Sequence, residues 1–137
     1  MSGKMAKTKG AEGERELAKL LQKWAEPVTE HLGVDKINLE RMAAAQSKSG
    51  GYDLSGLSWL AIEVKRVENM ELKAWWRQTL KQCNDMQIPF LAWRLNRKPW
   101  NFRTRVPHQG VWLTVDLDLE AGQQWFQREL YARLTVQ

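Results

Sequence analysis

The stretch Gly50–Arg66, GGYDLSGLSWLAIEVKR, constrains the fold more than any other part of the chain. Side chains alternate between the two faces of a strand. From Trp59 to Lys65 this places Leu60, Ile62 and Val64 on one face and Trp59, Ala61, Glu63 and Lys65 on the other. The first face is apolar throughout and demands a core. The second begins apolar and ends with an acid and a base. Ser55 to Ser58 supply a turn, so Tyr52–Lys65 reads as a β-hairpin. With its tip centred near Ser58, Asp53 lies across from Glu63 on the same face.

Two opposed carboxylates repel, and a divalent cation is the natural compensation. Both carboxylates and a backbone carbonyl, such as that of Val64, would hold it. Such a cation acidifies water and neutralises charge on a phosphate oxygen. Lys65 can orient an attacking water or steady developing charge. This set suits metal-dependent phosphodiester hydrolysis. On these residues alone, a solvated Glu/Lys pair on an edge strand stays open. Glu71 and Lys73 repeat the E-x-K spacing, but in a helical segment two residues apart point about 200° apart and cannot share a site.

Around the hairpin, Ala11–Ala25 has helical spacing through Leu17, Leu20, Leu21 and Trp24. Glu14 lies roughly 60° from the centre of that stripe, whereas Glu12 and Glu16 lie roughly 95° to 140° away. Glu14 is thus the acid that leans toward the core. Pro27 is expected to end or bend the helix. Asp35–Met42 reads as a strand with Ile37 and Leu39 on one face, or as a helix through Ala45. Gln46–Gly51 is a polar flexible loop. A second helix, capped by Asn69, carries Leu72, Trp75, Trp76, Leu80 and Cys83. Ile88–Leu95 is a strand starting after Pro89, and Gly110–Leu117 is another. Asp118 is an N-cap for a last helix to Leu134, with Phe126, Leu130, Arg133 and Leu134 on one stripe. The pattern gives a single α/β domain over 1–137, with 1–9 a flexible basic arm.

Composition limits the function. The 137 residues suit one core, and no apolar run suggests a membrane span or signal peptide, so a cytoplasmic protein is expected. Cys83 is the single cysteine, which excludes an internal disulfide or a thiolate metal cluster. His31 and His108 are the two histidines, too few for an ordinary zinc site. The net charge of +5 favours a polyanion. Arg94, Arg97, Lys98, Arg103 and Arg105 form a run without an acid, with Trp100 and Phe102 among them. Phosphate contact plus base stacking and a solvated loop with an apolar anchor are both compatible with it. There is no basic amphipathic helix for membrane-surface binding. Trp75, Trp76, Trp93 and Trp112 exceed what one small core needs, which suits a dimer interface.

Asp53, nine residues and then E-V-K resembles the PD-(D/E)XK nuclease superfamily. KGAEGERELAKLL, from Lys9, is similar to the opening of archaeal-type Holliday junction resolvases and their phage relatives. So is AAQSKSGGYDL, whose Ser47 and Ser49 stand where that family has loop serines. The proline usual before the Asp is replaced by Tyr52. The resemblance implies an α/β restriction-endonuclease-like core, a central mixed β-sheet flanked by α-helices. It implies Mg²⁺, with Mn²⁺ substituting, held by Asp53 and Glu63, with Glu14 nearby, directly or through water, and no small-molecule cofactor. It also implies a homodimer that acts on branched DNA, nicking two strands of a four-way junction to leave 5′-phosphates. Glu14, Asp53, Glu63 and Lys65 are the expected catalytic set. Lys9, Arg15, Ser47, Lys48, Ser49, Arg66, Arg97, Lys98, Arg103 and Arg105 are the expected DNA contacts. A superfamily nuclease for flaps, ends or single strands, and a non-catalytic DNA-binding protein on this fold, are the competing readings.

Overall fold

The computed structural model describes residues 3–42 and 53–136, with side chains from residue 10 onward. Three helices and six strands occur among the described residues: α1 (Gly3–Leu32), β1 (Glu40–Arg41), β2 (Leu54–Ser55), β3 (Leu60–Val67), α2 (Leu72–Gln82), β4 (Ile88–Leu95), β5 (Asn101–His108), β6 (Val111–Leu117) and α3 (Leu119–Thr135). The strands form one mixed sheet in the order β1-β2-β3-β4-β5-β6. β3 and β4 are parallel, and every other neighbouring pair is antiparallel. The parallel pair needs a crossover, which α2 supplies. This is the α/β restriction-endonuclease-like architecture expected from the sequence.

The alternation in β3 separates two cores. Leu60, Ile62 and Val64 pack with Phe90, Ala92 and Phe102 against Leu17, Leu21 and Trp24 of α1 and Phe126 and Leu130 of α3. On the opposite face, Leu91 and Trp93 of β4 pack with Trp75 of α2, and Val67, Leu72 and Trp76 border them. Each large side chain buried this way contributes roughly 1.5–3 kcal/mol. Three of the four tryptophans expected at a dimer surface therefore serve the monomer. Trp75 and Trp93 are buried, Trp76 lies partly buried beside them, and Trp112 alone of the four stays largely exposed at 54%.

Several boundaries differ from expectation. The helix is already formed at Gly3, so the backbone of 3–9 belongs to α1. Met5, Ala6 and the lysines there are good helix formers. Pro27 does not end the helix, which runs on to Leu32. A proline there deprives the carbonyl four residues back of its partner, and Gln127 Nε2 of α3 donates to the neighbouring Trp24 carbonyl at 3.0 Å. Glu71, not Asn69, is the N-cap of α2, and it makes no side-chain capping bond. The strand of 35–42 shrinks to Glu40–Arg41. Pro89 lies inside β4, because Ile88 beside it faces β3, donating to the Trp59 carbonyl at 2.8 Å. Its own carbonyl takes the Thr104 hydroxyl at 2.8 Å.

The largest difference is β5, a full strand in the basic segment to which the sequence assigns no regular element. Its side chains alternate: Phe102 and Thr104 are buried on one face, and Arg103 and Arg105 are half-buried on the other. Asp118 caps α3 as expected, accepting from the Ala121 N–H at 2.8 Å. Phe126 and Leu130 form the buried stripe, whereas Leu134 is exposed and the Arg133 guanidinium stacks 4.9 Å above Trp59.

Candidate active site

The hairpin pairs as the turn count requires. Leu54 stands opposite Ile62, so Asp53 falls opposite Glu63. Asp53 is held at its backbone from both sides. Its N–H donates to the Ile62 carbonyl at 2.9 Å, and its carbonyl accepts from Met42 N–H at 2.9 Å. Its side chain reaches forward, where Oδ2 accepts the Val64 N–H at 2.8 Å. A strand residue turns its N–H and C=O to the same side. The Val64 carbonyl is therefore on the Asp53 side of β3, beyond the end of β2.

Glu63 is 3% exposed. Lys65 Nζ lies 3.6 Å from its Oε1, as two residues on one strand face allow. Its Oε2 is buried with no hydrogen-bond partner. A buried carboxylate oxygen without a donor is costly. Burial, and then the neighbouring Asp53 carboxylate, push the Glu63 carboxyl up to about 8, against the downward pull of Lys65. Burial also raises the Asp53 carboxyl, although the Val64 N–H opposes it.

Glu14 approaches from α1. Burial and the charge of Asp53 raise its carboxyl above the usual range, and Arg41 pulls it down. Arg41 Nε donates to Glu14 Oε2 at 3.2 Å. Arg41 was missed in the sequence. It shares strand parity with the buried Leu39, and an arginine on an apolar face is the same kind of anomaly as Glu63.

The four expected catalytic residues thus converge on one edge of the sheet, where β2 leaves β3. Among the described residues, no three His, Cys, Asp or Glu side chains are close enough to form a metal cluster. The donor set that fits a divalent cation is Asp53, Glu63 and the Val64 carbonyl.

The expected DNA contacts scatter. Ser47, Lys48 and Ser49, and the Lys9 side chain, lie outside the described residues. Arg15 is exposed on α1. Arg66 lies against α1, with its guanidinium 2.8 Å from Glu12 and 3.3 Å from Glu16. Arg97 and Lys98 are exposed in the β4–β5 turn, at the same end of the sheet as Lys65. Arg103 is bound by two nitrogens to the Asp116 carboxylate at 2.5 and 2.8 Å, and Arg105 stacks 4.8 Å from the ring of Trp112.

Residues 5–109 match the family described as "Phage putative PDDEXK endonuclease". The chain belongs to this family. The match runs from α1 to the β5–β6 turn and so contains the whole carboxylate site, with β6 and α3 beyond it. PD-(D/E)XK nucleases act on DNA and generally use divalent metal ions. No curated protein and no solved structure matches the chain. No described helix is long and apolar enough to cross a membrane.

Proposed function

We propose that the chain is a metal-dependent, structure-specific endodeoxyribonuclease that resolves four-way DNA junctions. The observation that carries the nuclease part is the buried Asp53–Glu63 pair with an orphaned Glu63 oxygen and Lys65 on the same face. The junction part is supported by the resolvase-like segments Lys9–Leu21 and Ala44–Leu54. Asp53, Glu63 and the Val64 carbonyl would hold Mg²⁺, or Mn²⁺ in its place, with Glu14 facing the group from α1. The cation supplies Lewis acidity toward a phosphate oxygen and water.

The chain's own residues do the rest. Lys65 orients the attacking water and steadies charge on the phosphate. Water adds to phosphorus, the bond to the 3′ oxygen breaks, and the products carry a 3′-hydroxyl and a 5′-phosphate. Arg97 and Lys98, exposed beyond the end of β4 that pairs with Lys65, would take DNA phosphates. Cutting two strands calls for two sites, hence a homodimer. The edge strand β6, with Val111, Trp112 and Leu113 exposed, offers an apolar surface for it.

The test is a panel of four-way junctions, flaps, linear duplex and single strands with Mg²⁺. Paired nicked duplexes from the junction, at a rate well above that on the others, are expected. Linear duplex cut as fast as junctions would exclude resolvase specificity. Junction binding without cutting of any substrate would favour a non-catalytic DNA-binding protein.

A further inference from the structure

Glu14 sits on a stretch of helix that the core does not hold. The first residue of α1 in the apolar core is Leu17. Between Gly10 and Glu16 the one buried residue is Gly13, which has no side chain to pack. Beyond the helix backbone that joins it to Leu17, this turn is held by side chains from the sheet.

Gly13 presses on β3. A Cβ there would meet the Arg66 Cβ at 2.8 Å and the Val64 Cγ1 at 3.7 Å. At about 100° per residue, Glu12 and Glu16 lie roughly 60° to 100° to one side of Gly13, and Glu14 about 100° to the other. The ion pairs follow that division. On one flank Arg66 binds Glu12 at 2.8 Å and Glu16 at 3.3 Å, and Arg94 binds Glu16 at 2.9 Å. On the other, Glu14 meets Arg41. Arg66 and Arg94 stand side by side in the β3–β4 register, one residue past Lys65 and Trp93. Arg94 is itself anchored, donating from Nε to the Lys98 carbonyl at 2.8 Å.

We propose that Arg66, with Arg94, is a positioning residue: by gripping Glu12 and Glu16 it tightens the turn of α1 that precedes Leu17 onto β3 at the Gly13 contact and so steadies Glu14 toward the Asp53–Glu63 pair. Without Arg66 this turn keeps the Glu16–Arg94 and Glu14–Arg41 pairs but loses both pairs from β3, and Glu14 is held less firmly toward Asp53. This gives Arg66 a role distinct from the DNA contact expected of it. It rests on the metallonuclease reading above, and the two can fail separately.

The test is isothermal titration with Mn²⁺ in the absence of DNA, together with thermal unfolding. Arg66→Ala is expected to weaken Mn²⁺ binding about 10-fold, the scale of losing a residue that orients metal ligands. Arg66→Lys, which keeps a charge for Glu12 or Glu16, is expected to recover most of that loss. The double variant Glu12→Gln/Glu16→Gln leaves the sheet untouched and is expected to reproduce it. Wild-type Mn²⁺ affinity in both Arg66→Ala and the double variant, even with a lowered melting temperature, overturns the inference, because the clamp would then be structural only. Asp53→Asn is the control: unchanged Mn²⁺ binding in it overturns the metallonuclease reading itself, and the positioning role with it.

Discussion

At the β2–β3 edge, Glu63 is 3% exposed and one of its oxygens has no partner. At the β5–β6 edge, the partly exposed Arg103 holds both oxygens of Asp116. Both edges are charged strands on the same face of one sheet. At the first, a carboxyl oxygen is buried without a partner; at the second, the Arg103–Asp116 pair is matched, while Arg105 Nε beside it is also buried without a partner. Burying an unpaired carboxylate is costly and raises its pKa, whereas a matched pair near the surface is a modest structural contact.

The sharpest way to break this contrast is at the incomplete edge. Asp53→Asn or Lys65→Ala should lower junction cleavage on the order of 10²–10⁴-fold while junction binding persists. Cleavage assays beside gel-shift titrations check this, and undiminished cutting by either variant would refute the assignment. Next in size is a packing effect at the other edge. Gly122 of α3 sits against the Phe102 ring of β5, and a Cβ there would overlap it. Gly122→Ala should cost about 1–3 kcal/mol in chemical denaturation. An unchanged midpoint would mean that α3 does not press on β5 as described.

The incomplete edge also predicts a pH dependence. Glu63 titrates near 4.5 when unfolded and is raised to about 8 when folded. The folded protein therefore binds the extra proton between those values. The stability it contributes is full below about pH 4.5 and is lost as pH rises through about 8. Thermal unfolding of metal-free protein should show this decline, and Glu63→Gln should flatten it. A decline just as steep in Glu63→Gln would place its origin elsewhere.

Two smaller effects compare exposed with matched cations. Arg97→Ala/Lys98→Ala should weaken DNA binding and reduce the slope of log affinity against log salt by about two. Arg103→Met should change stability by no more than about 1 kcal/mol and leave cleavage as it was. A larger loss of binding from Arg103→Met than from the turn double would reverse the contrast.

Much of the site was legible in the sequence for a local reason. Asp53 and Glu63 belong to one hairpin, and strand parity with the number of turn residues fixes which side chains oppose each other. Glu14 was legible through helical periodicity. Arg41 was not, because its segment admitted two readings and its partner, Glu14, is 27 residues away. β5 was hidden by its own charges. The arginines that suggested a loop are the outward half of an alternating strand, and their partners Asp116 and Trp112 come from β6.

By itself, then, the sequence determined the β3 core face, the opposition of Asp53 and Glu63, and the companionship of Lys65, since all follow from backbone periodicity within one hairpin. Only the tertiary structure decided which charges were already matched. It also decided that three tryptophans belong to the monomer, and that Arg66 grips the turn of α1 carrying Glu14. Those outcomes depend on which distant element supplies a counter-charge or a packing surface, and neither periodicity nor composition encodes that.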